Sequence, residues 1–384
     1  MPSTGQFTWG IILCKFSDHP EEPCTPKDAE DLIAGKGLGS LRDYWTDMSY
    51  GNLDMSVLFV HGWITMPFPL DDEFRALGRF DKTQKCFDAL PPFAFLGAEG
   101  LIFIINAVQD SGAAGKRILL DPSALRPTFI AHEMGHVLGL DHSFDTNSVP
   151  WDPGSDGRPG AYGDSRDIMS AEAFGGLPAT FEGRFGTAGP ALSGMTRERF
   201  GWLPKERIAS ITHAPGEDFS LQVSIAALDN EAAAPQLMVR ITSNSLHNGT
   251  PLPPMTYLVE FRARGGWDTG MPADAVVIRM LREGDVPRIA WSTDDNQDWV
   301  LDSRFVDLAH EIAITVASIA PDRSKADIFV SAGANARLTV MSVKNSLAHK
   351  FDLSQGLRRI TPSPPFAADS VRARLLTHPP QLAP

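Results

Sequence analysis

Apolar and polar positions follow two rhythms along this chain, and the change falls near residue 205. Before it, strand-like segments near 8–16, 53–60 and 101–107 are interleaved with helix-like stretches near 27–48 and 127–138. Leu101-Ile102-Phe103-Ile104-Ile105 is a continuous apolar run of strand length, the pattern of a buried strand. Within 127–138, Phe129, Ile130, Met134, Val137 and Leu138 make an apolar stripe. Pro127 suits the first helical turn, where its missing N–H costs nothing. From about 206 the period becomes two, in Phe219–Ile225, Leu237–Ile241, Ala275–Met280, Ile312–Val316 and Ala326–Val330. Such alternation between Gly/Pro/Asn turns predicts half-buried antiparallel strands. The pattern thus predicts an α/β unit over 1–205, then an all-β sandwich over 206–332 that braces it. Residues 333–384 carry strand-like pieces such as Leu338-Thr339-Val340 and a proline-rich end, expected to be extended or poorly ordered. The Gly, Pro, Asp and Ser content of 144–167 predicts an irregular loop.

The apolar stripe of 127–138 shares its helix with a polar constellation. His132-Glu133-Met134-Gly135-His136-Val137-Leu138-Gly139-Leu140-Asp141-His142 spells His-Glu-x-x-His-x-x-Gly-x-x-His. One helical turn separates His132 from His136, so their Cβ atoms lie roughly 5–6 Å apart on one face. Both imidazoles then reach one zinc ion at roughly 2.0–2.1 Å. Gly139 supplies a residue tolerant of positive φ, and the turn there brings His142 round as third ligand. Three protein ligands leave a position for water, the catalytic rather than the structural arrangement. Glu133 follows the first ligand and flanks the metal, where it takes a proton from water as general base. A bare His-Glu-x-x-His also occurs as ordinary helix surface; the added glycine and third histidine make that reading the poorer one. The motif predicts hydrolysis. The rivals are a catalytically silent zinc-containing binding protein and a hydrolase of a non-peptide amide or ester.

Further on, Asp167-Ile168-Met169-Ser170 follows the zinc motif. The two together resemble the metzincin metallopeptidases, whose methionine turn runs beneath the zinc; by that resemblance Met169 packs under the three imidazoles. The opening Ile11-Ile12-Leu13-Cys14-Lys15-Phe16-Ser17-Asp18 is similar to the first strand of the M6-like peptidases, relatives of immune inhibitor A. Ser40–Trp45, Met48–Leu53, Gly62–Thr65, Gly201-Trp202-Leu203-Pro204, Tyr257–Arg262 and Gly266-Trp267-Asp268 extend the similarity. The resemblance implies a metzincin-like catalytic domain, a zinc metalloendopeptidase acting on a protein or peptide substrate. By family analogy it also implies Ca2+ at loop acids such as Asp145, Asp152 and Asp156. Two departures bear on substrate preference: Trp63 to Leu101 lacks an aspartate-rich pattern, and Gly163-Asp164-Ser165-Arg166 precedes Asp167. Some metzincins place an oxyanion-stabilising tyrosine just after the methionine. Here Ser170-Ala171-Glu172 stands there, and Tyr162 is the nearby tyrosine.

A net charge of −13 without a basic stretch argues against a nucleic-acid partner. No apolar run approaches the roughly 20 residues that span a bilayer. Cys14, Cys24 and Cys86 allow at most one disulfide, so the chain is no disulfide scaffold. Cys24, between Pro23 and Thr25, is weighed as a thiol that blocks zinc in a latent form. The family implies export, whereas Met1–Gln6 shows none of the basic start and apolar stretch of a secretory leader. His213, His247 and His310 read as isolated surface or loop histidines, and the sequence sets no oligomeric state.

Overall fold

The computed structural model describes residues 4–37, 39–90, 97–146, 158–170, 179–232, 236–247, 249–292 and 296–337. The first elements are β1 (Gly5–Lys15), α1 (Pro26–Ala34), α2 (Leu41–Met48), β2 (Leu53–Thr65), α3 (Asp72–Ala76) and α4 (Arg79–Asp88). After them come β3 (Gly100–Ile105), β4 (Gly112–Ala114), β5 (Arg117–Leu120) and α5 (Pro127–Leu138). The five strands form one sheet in the order β2-β1-β3-β5-β4. Its outer strand β4 is antiparallel to β5, and the other neighbours are parallel.

The period of two sends successive side chains of β1 and β3 to opposite faces. Trp9, Ile11 and Leu13 of β1, with Ile102 and Ile104 of β3, join α1, α2 and α5 in one core. Ile12 and Cys14, with Phe103 and Ile105, join Met66, Phe74 and Cys86 in another on the far side. Apolar cover on both faces is why residues 101–105 read as an unbroken hydrophobic run.

One expected element is two. The helix-like stretch at 27–48 breaks between α1 and α2, where Gly37 and Gly39 adopt φ of +66° and +71°. Their N–H groups donate to the Asp43 carboxylate at 3.2 and 2.9 Å, and Ser40 caps α2. At the start of α1, Thr25 and Asp28 form a reciprocal capping box around Pro26.

The later elements are β6 (Phe144–Asp145), β7 (Phe181–Gly183), β8 (Gly186–Ala188), α6 (Gly194–Arg199), β9 (Ile208–His213), β10 (Phe219–Ala226) and β11 (Met238–Ser243). They continue through β12 (Leu246–His247), β13 (Thr250–Pro251), β14 (Met255–Arg262), β15 (Ala275–Arg282), β16 (Arg288–Ile289), β17 (Arg304–Asp307), β18 (Ile312–Ile319) and β19 (Lys325–Ala332). The chain is a mixed α/β structure with several sheets, among them the antiparallel four-stranded β10-β19-β18-β17 near its C-terminal end. A six-stranded sheet has the order β6-β16-β15-β14-β11-β9. Ile225, Val239, Tyr257, Val259 and Ile278 meet Ile312, Ile314, Ile328 and Val330 in one core drawn from both sheets. The five stretches that alternate in the sequence fall on β10, β11, β15, β18 and β19.

Two expectations are corrected here. Phe144–Asp145, at the start of the segment expected to be irregular, forms β6 and pairs in parallel with Arg288–Ile289. His213 and His310 are buried rather than superficial. His213 meets Ser243 Oγ at 3.0 Å through Nδ1 and the Glu217 carbonyl at 3.1 Å through Nε2, while His310 Nδ1 lies 2.9 Å from Asp307. Those partners compensate the desolvation that makes buried polar groups costly. His247 lies in the short strand β12. Cys14, Cys24 and Cys86 are all free thiols. Among the described residues no helix is long and apolar enough to cross a membrane. Leu338-Thr339-Val340 and the prolines after it lie outside the described residues.

Candidate metal centre

Helix α5 begins with Pro127 in its first turn and ends at Gly139, whose φ of +92° makes a left-handed cap. The Leu140 N–H returns to the Gly135 carbonyl at 2.8 Å, which closes the helix and redirects the chain toward His142. The three imidazoles converge: His136 Nε2 lies 3.0 Å from His132 Nε2 and 3.1 Å from His142 Nε2.

Their outer nitrogens explain the orientation. His132 Nδ1 is 3.0 Å from the Ile168 carbonyl oxygen, and His136 Nδ1 is 3.0 Å from that of Leu140. A carbonyl oxygen only accepts, so each Nδ1 carries the proton and each Nε2 is left with a lone pair. Lone pairs this close repel unless a cation lies between them, and aligning imidazoles through a carbonyl is how proteins prepare metal ligands. His132, His136 and His142 therefore form a group that could hold a metal, and three imidazole nitrogens suit zinc. Among the described residues no other group of three or more His, Cys, Asp or Glu side chains meets this condition.

Electrostatics agree with the geometry. Burial, helped by the neighbouring imidazoles, drives the His132 pKa down to about 3. Burial also lowers that of His136. Both rings are thus neutral at physiological pH, the form a metal requires. Burial raises the pKa of Glu133, against the opposing influence of His136 and of the Ala113 N–H. Its Oε2 accepts that N–H, from the middle of edge strand β4, at 2.7 Å. Next to it, the Arg79 guanidinium occupies the space a side chain at Gly112 would need and makes a two-pronged pair with Asp110, 2.8 Å on each arm.

Met169 is buried against the helix, and a Cβ placed on Gly135 would lie 2.5 Å from its Sδ. Its carbonyl accepts the Ser143 N–H at 3.1 Å, tying it to the segment that carries His142. The loop leading to it is pinned from below by charge. Asp164 takes Arg279 Nε at 2.7 Å, and Arg279 also reaches Glu260 at 2.8 Å. Arg166 forks onto Asp298 at 2.6 and 3.0 Å, while Arg262 donates to the Arg166 carbonyl at 2.9 Å. Gln297 accepts from the Ser165 N–H and donates to the Gly163 carbonyl. Asp167 caps the turn itself, accepting Met169 N–H at 2.9 Å and Ser193 N–H at 3.1 Å. Every one of these ionic side chains is buried. Sequence reading missed the arrangement because it pairs residues about a hundred positions apart.

Among the acids considered for calcium, Asp145 is buried in β6, where Oδ2 accepts the Trp291 indole N–H at 3.2 Å. Asp152 and Asp156 lie outside the described residues. Cys24 is half-buried; burial, with Asp28 beside it, pushes its pKa up to about 11, so it keeps its proton. Tyr162 lies against His142 with ring centroids 3.9 Å apart. Comparison with known families and with characterised proteins finds no match to this chain, so the site's own chemistry carries the functional reading.

Proposed function

We propose that the chain is a zinc-dependent endopeptidase of the M6-like metzincin type. The observation that carries this reading is the convergence of three imidazoles, those of His132 and His136 held neutral by burial, beside a buried carboxylate whose proton affinity is raised. A zinc ion held by His132, His136 and His142 would supply a Lewis acid and lower the pKa of water at the site. Glu133 receives the water's proton on its carboxylate and returns it to the leaving amine, a task that favours a carboxyl pKa shifted toward neutrality. The Ala113 N–H holds that carboxylate toward the edge of the sheet. Met169 fills the space beneath the ligand helix.

The sheet edge favours a peptide over a small amide. Strand β4 is the last in its sheet, and among the described residues no strand pairs with its outer side. An extended peptide can add to such an edge through main-chain hydrogen bonds to its carbonyls, the Ala113 N–H being taken by Glu133.

Cleavage of unfolded casein by the zinc-loaded protein, with and without a chelator, tests the proposal. Cleavage should require metal and fall at least about 100-fold in Glu133→Gln, the usual scale of general-base catalysis. Metal binding without cleavage would favour the binding-protein reading. Turnover of small amides or esters alone would favour the non-peptide hydrolase.

A further inference from the structure

Tyr162 has a φ of +63°, a left-handed conformation that a bulky side chain rarely takes. The surroundings hold it there. Ser170 Oγ donates to its carbonyl at 2.8 Å, and Gln297 Nε2 donates to the following carbonyl, that of Gly163, at 2.6 Å. The Gly163 N–H closes onto the Gly160 carbonyl at 3.0 Å. Strain of this kind persists where neighbouring structure over-determines it and where the side chain it presents has a use.

What this turn presents is a ring over the metal ligands. The Tyr162 centroid lies 3.9 Å from that of His142 with 38° between the planes, and 6.2 Å from that of His132 at 22°. The tyrosine is only 8% exposed. His132 and His136 ride on α5, so the helix itself sets their spacing. His142 stands beyond the Gly139 cap, off the helix, so the helix does not set the direction of its ring. Tyr162 also belongs to a small apolar cluster with Phe144 and Ala161, which fixes the ring from behind.

We propose that Tyr162 is a positioning residue for the third ligand. Its aromatic face sets the direction of the His142 imidazole and keeps water from the flank of the metal site. The ring, not the hydroxyl, performs this task. The proposal rests on the reading of the three histidines as a zinc site, and it adds a residue from outside both signature motifs.

The test is a cobalt(II) titration of the full chain followed by visible absorption, for wild type, Tyr162→Phe, Tyr162→Ala and Tyr162→Asn. Each metal-free protein is also melted. Asparagine tolerates the left-handed region, so Tyr162→Asn keeps the backbone should the alanine variant fail to fold. Tyr162→Phe should bind cobalt like wild type, with the same spectrum. The two ringless variants should bind about 10–100-fold more weakly, the usual cost of losing a group that orients a ligand. Their spectra should shift even where melting shows a folded protein. Folded ringless variants with wild-type affinity and spectrum would overturn the proposal. Equal weakening in Tyr162→Phe would also overturn it, by moving the effect to the hydroxyl. A wild type that binds no cobalt would sink the metal reading itself, a result separate from either of these.

Discussion

His132 Nδ1 reaches the carbonyl oxygen of Ile168 at 3.0 Å, across 36 residues of chain. The first histidine of the group is thereby oriented by the residue just before Met169, and the loop and the helix must stay in register to keep it so. Gly135 is where they touch. A methyl group there would lie 2.5 Å from Met169 Sδ and 3.2 Å from Leu140 Cδ1. Gly135→Ala should therefore cost about 1–3 kcal/mol by overpacking. It should also weaken metal binding, because the Met169 turn must move away from His132. In a double-mutant cycle, Met169→Ala should remove much of the penalty; strictly additive free energies would refute the contact.

A second prediction concerns the cap. Gly139 is left-handed, and nothing lies within 4 Å of where its Cβ would be. The cost of Gly139→Ala is thus one of backbone conformation alone, about 1 kcal/mol. Asparagine should cost less than alanine, and thermal melts of the metal-free proteins would rank them. The opposite order would mean that the turn relaxes out of the left-handed region.

Arg279 bridges two buried carboxylates, Asp164 and Glu260. Arg279→Met would leave both without their shared cation, and breaking a buried pair in this way typically costs about 3–5 kcal/mol. Urea unfolding should show that loss. Metal affinity should fall with it, since Asp164 belongs to the loop that carries Ile168 and Met169. A stable variant with unaltered affinity would show that the loop does not depend on this bridge.

The same network sets an acid response. Burial alone would raise the pKa of Glu260, but Arg279 and Arg262, together with the Gly194 N–H, overcome it and hold the value near 2. A folded-state pKa below the ordinary 4.5 contributes stability that is present above pH 4.5 and lost as pH falls toward 2. The drop from 4.5 to about 2 corresponds to ~3 kcal/mol. Asp164, raised by burial, acts with the opposite sign but is shared by wild type and variant. Glu260→Gln should be less stable at neutral pH and should flatten the acid slope in that window. Parallel slopes for the two proteins would contradict this assignment.

The three-histidine group was legible in the sequence because it is local. A helix of period 3.6 fixes where His132 and His136 point, and Gly139 announces the turn to His142. The strands of 219–332 were legible by their alternation, which survives wherever one face is buried. The break between α1 and α2 had a signal in Gly35, Gly37 and Gly39, outweighed by the helical pattern on either side. Strands of two or three residues, such as β4 and β6, are too short for any period to show. The charges under Met169 were hidden for another reason. Arg166, Arg262 and Arg279 look like ordinary surface cations until the fold brings their acids to them. No local pattern could place Tyr162 in the left-handed region, because that conformation is imposed by Ser170 and Gln297 from elsewhere in the chain.

The ties from Gln297 and Asp298 to Ser165 and Arg166 also set an order in time. During synthesis the histidine motif leaves the ribosome well before the residues that fasten the loop beneath it. A nascent chain that ends short of Asp298 already carries all three imidazoles but not the anchors of their floor. The candidate metal site is completed only once Gln297 and Asp298 have been made, so a product cut short of them would be born without a finished site.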